Sequence, residues 1–267
     1  MLRKRPKIVI LCGGLGTRLA EETTVKPKPM VEIGGRPILW HIMKIYEKYG
    51  YTDFVLALGY KGEVIKDYFL NYHARLSDLT AYLATGKVEF SNPTAEDWTV
   101  SMVDTGQRTM TGGRLLRLQE VLKGDDGPIL VTYGDGVADI DLGALLEFHK
   151  AHGKVATVTA VRPAARFGGL QLSENGRVEC FQEKPQTGEG WINGGFFVFE
   201  KEIFDYLEDD LTILEREPME RLSRDGQLMA YQHEGYWQCM DTIRDRDALQ
   251  KLCEQAVPPW LVSHDDV

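Results

Sequence analysis

The sequence predicts an α/β fold, a mostly parallel, mixed sheet flanked by helices and followed by a smaller β-rich region. Two observations predict it. Up to Val161, short apolar runs alternate with segments whose apolar residues recur at helical spacing, the rhythm of strand–helix–strand units. Beyond Val161 the pattern changes to short strands separated by turn signals.

Taken in order, Lys7–Cys12 reads as a buried strand and Gly13–Arg18 as a glycine-rich turn. Pro37–Tyr49 reads as a helix, because Ile38, Leu39, Ile42, Met43, Ile45 and Tyr46 fall on one face. Asp53–Leu58 is a second strand and Gly62–Tyr72 a second helix. The long loop from Tyr72 to Val100 is expected to be an assembly arm or a substrate lid, neither use being derivable from its composition. Pro128–Tyr133 and Val155–Val161 read as strands on either side of a helix at Leu142–His152, whose His149 and His152 are expected to face solvent. Gly168–Ser173 and Val178–Glu183 form a hairpin around Asn175-Gly176. Trp191–Phe199 and Leu228–Tyr231 are strands, while Phe204–Leu207, Glu217–Arg224 and Ile243–Gln255 are helical. The tail from Pro258 is expected to be loosely held. The result is a Rossmann-like sheet. Ligands of such sheets bind outside the carboxyl ends of the strands, where the turns at Gly13 and Asp135 and the segment after Leu58 would meet.

Composition narrows the function. Hydrophobic residues make up 43% of the chain and charged residues 27%, which supports a packed core and argues against disorder. The net charge of −9 argues against nucleic acid as a partner, but a few local Lys and Arg side chains can still serve an anionic small substrate. Cys12, Cys180, Cys239 and Cys253 have no metal-ligand spacing and read as reduced thiols. No apolar run approaches a membrane span, so a soluble, cytoplasmic protein is expected, with no membrane partner.

The turn Gly13-Gly14-Leu15-Gly16-Thr17-Arg18 lets backbone N–H groups approach phosphate oxygens closely. It lacks the Gly-Lys-Ser/Thr ending of a P-loop, and Leu19 stands where a dinucleotide fingerprint needs a small residue. Arg18 adds a planar donor fork suited to phosphate. In Lys26-Pro27-Lys28-Pro29 each proline disfavours helical backbone in the residue before it, so both lysines are expected on extended chain beside that turn. Asp135, in Tyr133-Gly134-Asp135-Gly136, is either a turn former or a magnesium ligand. Asp241 belongs either to a helix cap or to the same metal site. Thr109, Thr111 and Arg114 precede a helix, and Gly112 and Gly113 suit either close approach of a ligand or a plain helix start. Trp191 and Trp237 are either walls of the site or core.

These strings resemble the sugar nucleotidyltransferase superfamily, whose pattern is a strand, G-G-x-G-T-R-L and then K-P-[KA]-x. Within it they look most like the glucose-1-phosphate cytidylyltransferases, through Val25–Gly35, Met110–Leu115, Thr132–Asp139, Phe181–Pro185, Ile192–Val198 and Met240-Asp241-Thr242. The resemblance runs from about Lys7 to Trp260. It implies a single nucleotidyltransferase domain over 1–267, with a nucleotide-binding half at about 7–150 and a sugar-phosphate-binding half at about 151–260. It implies CTP and glucose 1-phosphate as substrates, CDP-glucose as product, Mg2+ as cofactor and a homo-oligomer. Arg18 and Lys28 become the catalytic cations, with Lys26 the weaker candidate. Nucleotide contacts fall on Leu11, Cys12, Gly13, Gly14, Leu15, Gly16, Thr17, Arg18, Lys28, Thr109, Thr111, Gly113, Arg114 and Gly134. Sugar-phosphate contacts fall on Gly169, Glu183, Lys184 and Asn193, and metal ligation on Asp135 and Asp241. Cys12 departs from the family's alanine and would expose the site to thiol reagents. A relative using another nucleotide or another phosphorylated acceptor, and a non-catalytic nucleotide-sugar binder, stand as alternatives.

Overall fold

The computed structural model describes residues 6–92, 95–124, 127–163, 169–172, 178–182 and 190–262, with residues 20, 169–172 and 178–182 through their backbone alone. A seven-stranded sheet runs in the order Leu228–His233, Ala156–Val161, Ile192–Phe199, Ile129–Tyr133, Ile8–Cys12, Asp53–Leu58, Thr99–Asp104. Every neighbouring pair is parallel except the two made by Ile192–Phe199, which runs against both its neighbours.

The central strand shows why this sequence makes such a sheet. All five residues of Ile8–Cys12 are buried, as a strand covered on both faces requires. Alternation sends Ile8, Ile10 and Cys12 to one core and Val9 and Leu11 to the other. The first core is closed by the helix Ile38–Glu47, through Ile38, Leu39, Ile42 and Ile45. The second is closed by Leu115 and Leu118 on one side and Ile203, Leu214 and Leu222 on the other. The chain leaves Ile8–Cys12 towards Asp53–Leu58 and later returns to pair Ile129–Tyr133 on its opposite edge. That reversal opens a crevice at the carboxyl end of the central strand.

The segment after Tyr72 is more ordered than its composition foretells. It forms an antiparallel hairpin, Asp78–Tyr82 with Lys87–Ser91, and then the edge strand Thr99–Asp104. All ten hairpin strand residues are exposed, including Leu79, Tyr82, Val88 and Phe90. Gly169–Leu172 pairs antiparallel with Val178–Gln182, the hairpin read from Asn175-Gly176, although the turn itself lies outside the described residues.

Three expectations fail for identifiable reasons. His149 does not face solvent. It is buried at 1% exposure, with Nδ1 on the Thr157 hydroxyl (2.7 Å) and Nε2 on the Glu200 carboxylate (3.1 Å), so polar partners inside the fold take the place of water. The start of the tail is held, not loose. Trp260 is fully buried and donates to His41 Nδ1 (3.2 Å), and the Lys48 ammonium holds the Trp260 and Val262 carbonyls at 2.6 Å each. Lys28 is not on extended backbone. Pro27 is extended, but Lys28–Met30 form a 3-10 turn in which Val31 N–H donates to the Lys28 carbonyl, so this tight turn overrides the preference set by Pro29.

Candidate active site

The crevice is a cleft of about 1110 Å³. Its floor is the turn after the central strand, and the Gly134 N–H donates to the Leu11 carbonyl (3.1 Å), which sets the Asp135 turn beside it. Leu11, Cys12, Gly13, Gly14, Leu15, Gly16, Thr17, Arg18 and Lys28 line one side. Thr109, Thr111, Arg114, Gly134, Asp135, Asn193 and Asp241 complete the predicted set on the walls. Glu183 and Lys184 lie outside the described residues, and Gly169 opens its strand.

Asp135 and Asp241 are 106 residues apart in sequence and meet through a short ladder. Gly136–Ala138 pairs antiparallel with Trp237–Cys239, in the register Cys239 with Gly136. The Met240 N–H then donates to the Asp135 carbonyl (2.8 Å), and both carboxylates emerge at the same end of the ladder. The Lys28 ammonium lies between them, 2.6 Å from Asp135 Oδ2 and bonded to Asp241 Oδ1. Burial works to lower the Lys28 pKa, but the two carboxylates outweigh it and hold the pKa above the usual lysine value, so the amine stays charged. Arg18 Nη1 reaches Asp241 Oδ2 at 2.7 Å while its side chain remains 73% exposed to the cleft. Two carboxylates aimed at one cation suit a divalent metal that takes one or two carboxylates and completes its shell with phosphate oxygens and water. Among the described residues no group of three or more His, Cys, Asp or Glu side chains converges on a cation position, so a metal here would depend on a phosphate ligand.

Met240-Asp241-Thr242 leads into a helix cap. The Thr242 hydroxyl caps the helix Ile243–Gln255, while its neighbour Asp241 points into the cleft. Asp245 completes the capping box and also accepts from the backbone N–H of Asp241 (3.1 Å), which fixes Asp241 from behind.

Arg114 turns out to be a brace. It is 4% exposed, and its guanidinium donates to the carbonyls of Leu58 (2.9 Å), Gly106 (2.7 Å) and Gly13 (2.9 Å) and to the Thr105 hydroxyl (2.8 Å). One side chain thus ties the turns after three strands together. Gly13 must be glycine for this, because a Cβ there would overlap the guanidinium. The paired glycines serve packing as well. The helix begins at Thr111, so Gly112 and Gly113 lie in its first turn, and a Cβ at Gly113 would sit 2.6 Å from the Asp210 carbonyl oxygen. It is a neighbouring loop that approaches Gly113, and Gly113 does not line the cleft.

Cys12 is 1% exposed and burial pushes its thiol pKa well up, so it sits beneath the floor as a neutral, shielded group instead of a reactive one. Trp237 is the wall of the predicted pair. It lines the cleft, with its indole N–H on the Gly194 carbonyl (2.7 Å), whereas Trp191 packs under the Arg162 guanidinium at 4.4 Å. Sequence reasoning missed Tyr133, which lines the cleft, and Glu215, which stands behind it and bonds the Tyr133 hydroxyl. Tyr133 read as the last residue of an apolar strand. A polar tip at the carboxyl end of such a strand was the available signal.

The comparisons agree with this geometry. The family model described as Nucleotidyl transferase matches residues 7–242. A glucose-1-phosphate cytidylyltransferase of Salmonella typhi is 54% identical over 254 residues, covering 95% of this chain and 98% of the relative. A probable glucose-1-phosphate cytidylyltransferase of Bacillus subtilis is 45% identical, covering 96% and 99%. Among solved structures, HddC from Yersinia pseudotuberculosis complexed with GMP-PN superposes with a TM-score of 0.68 at 24% identity over 92% of this chain and 99% of that one, which is a likeness of fold. By the match of the family model and these near full-length identities, the chain belongs to the nucleotidyl transferase family.

Proposed function

We propose that this protein transfers a cytidylyl group from CTP to α-D-glucose 1-phosphate, giving CDP-glucose and pyrophosphate. The observation that carries the chemistry is the convergence of Arg18, Lys28, Asp135 and Asp241 at the end of the glycine turn. The choice of substrates rests on the relatives that share about half of its residues over nearly its whole length. A sugar-phosphate oxygen attacks the α-phosphorus and pyrophosphate leaves in line, a reaction that needs positioning and charge neutralisation more than covalent help. The Gly13–Thr17 backbone receives the triphosphate, Arg18 stabilises the charge on the departing pyrophosphate, and Lys28 turns from its carboxylates towards the reacting phosphates. Asp135 and Asp241 would hold Mg2+, which when bound offsets phosphate charge and aligns the two substrates. Thr109 and Thr111 face the base end, with Arg114 holding their loop. Gly169, Glu183, Lys184 and Asn193 take the sugar phosphate.

A pyrophosphate-release assay tests the reading, with CTP, UTP, dTTP, ATP and GTP each offered glucose 1-phosphate and Mg2+. CTP is expected to give the fastest release, and chelation of the metal to stop it. Equal or faster release with another nucleotide would replace CTP, and no release with any pair would leave a binder of nucleotide sugars. Lys28→Ala is expected to lower kcat by about 10³-fold, the scale of one preorganised charge at a phosphoryl centre; a near-normal rate would remove Lys28 from the reaction.

We infer also that the protein works as a homo-oligomer, with the Asp78–Ser91 hairpin as its arm. Leu79, Tyr82, Leu83, Val88 and Phe90 are all between 45% and 92% exposed, an apolar display that a second copy would cover. No helix among the described residues is long and apolar enough to cross a membrane.

A further inference from the structure

Two hydroxyls in the cleft wall end on a single carboxylate that does not itself line the cleft. Glu215 Oε2 accepts from the Thr111 hydroxyl (2.7 Å), and Glu215 Oε1 accepts from the Tyr133 hydroxyl. Each hydroxyl is also an acceptor. Thr111 Oγ1 receives the Leu214 N–H (2.9 Å), and Tyr133 Oη receives an N–H from Asn193 Nδ2 (3.3 Å). The direction of every bond is therefore fixed, because a carboxylate only accepts. The Asn193 amide is fixed as well. Its Oδ1 accepts the Gly195 N–H (2.8 Å), so the atom facing Tyr133 must be the nitrogen. The ring of Tyr133 has little freedom to move away. It packs edge-on against Phe197 (5.6 Å between centroids), and Gly195, at φ +80°, leaves room for the ring where any Cβ would collide with it.

The network joins the two ends of the cleft. Thr111 stands on the helix beside the Gly13 turn, and Asn193 opens the strand that carries the sugar-side wall. Asn193 Nδ2 keeps a second N–H to offer a ligand, which suits a phosphate or hydroxyl oxygen.

We propose that Glu215 is a positioning residue for the sugar-phosphate end of the cleft. By holding the Tyr133 hydroxyl as a donor to itself, it keeps Asn193 turned with N–H towards the acceptor substrate, and it braces Thr111 at the nucleotide end. This rests on the transferase reading above, and deepens it by assigning the orientation of the acceptor site to a residue outside the cleft lining.

The test is steady-state pyrophosphate release by the full chain with CTP and glucose 1-phosphate, on wild type, Glu215→Ala, Glu215→Gln, Tyr133→Phe and the double variant Glu215→Ala/Tyr133→Phe. Glu215→Ala is expected to raise KM for the sugar phosphate about tenfold, the loss of one to two hydrogen bonds, while kcat falls less than about threefold. KM for CTP should move less, because Thr111 keeps its Leu214 contact. Glu215→Gln retains an acceptor for Tyr133 and should return KM to within about threefold of wild type. Adding Tyr133→Phe to Glu215→Ala should cost nothing further, since the two residues act in one chain. Should Glu215→Ala fail to fold, the Tyr133→Phe and Glu215→Gln variants carry the same comparison. An unchanged KM for sugar phosphate in Glu215→Ala, or full additivity in the double variant, overturns the assignment. If wild type itself releases no pyrophosphate with any sugar phosphate, it is the transferase reading that fails, and the positioning role falls with it.

Discussion

The cleft floor and the Asp78–Ser91 hairpin invert the ordinary arrangement of a globular protein in opposite senses. At the floor, charged groups are inside. Lys28 and Asp241 have side chains only 11% and 12% exposed, and Arg114 is 4% exposed. On the hairpin, apolar groups are outside, with Leu83 at 92%. Either arrangement alone is unfavourable, since a buried charge needs partners and an exposed apolar patch does not help a monomer. The floor meets its cost within the chain, where carboxylates and carbonyls surround each cation. The hairpin has no such internal answer among the described residues. The contrast separates charges that are answered by partners within the chain from an apolar surface that, among the described residues, is not.

That comparison can be broken at its strongest point by Arg114→Ala. Four acceptors from three loops would lose a buried donor, and the expected loss is about 3 kcal/mol of unfolding free energy, read by urea denaturation. A loss below about 1 kcal/mol would mean that the loops are held by their backbone alone. Next in size is the hairpin. Leu83→Ser with Phe90→Ser should leave the monomer's thermal midpoint within a few degrees, because both side chains are already in water, and should reduce the mass seen by light scattering. An unchanged mass would take the hairpin out of any assembly. The smallest effect is expected at Cys12→Ala. The thiol is buried, protonated and in no disulfide, so stability should shift by about 1 kcal/mol or less and turnover should be unaffected. Rapid inactivation of wild type, but not of this variant, by a maleimide would reverse the reading of a shielded sulfur.

Much of this was legible in the residues. The strands Ile8–Cys12, Asp53–Leu58, Ile129–Tyr133 and Ala156–Val161 followed from periodicity, whereas Lys28 and Asp241 stood out through the family resemblance. What could not be read was long-range. The three-residue strands Gly136–Ala138 and Trp237–Cys239 are too short to show a pattern, yet their ladder helps bring the carboxylates together. The family resemblance made Arg114 a nucleotide contact, but the fold engages its guanidinium with protein carbonyls and a hydroxyl, which suit such a donor fork as well. Glu215 sits just before a helix, where any acidic residue would look like a favourable first-turn charge. The hairpin escaped notice although Leu79 and Ala81 pair with Phe90 and Val88 on one face, because its two strands are only five residues each and that face is exposed instead of buried in a core.

The short ladder that joins Asp135 to Asp241 has a consequence in the time order of synthesis. The first carboxylate leaves the ribosome about midway through the chain, together with most of the strands that shape the cleft, but its partner is residue 241 of 267. Until then, a nascent chain can present the glycine turn and Lys28 with only half of the acidic pair. Full pairing of Lys28, and with it any metal site, arises only when the strand Trp237–Cys239 has docked and the helix Ile243–Gln255 has capped its end. A chain cut before Asp241 would therefore carry the glycine turn, Lys28 and Asp135 without the second carboxylate that pairs with Lys28.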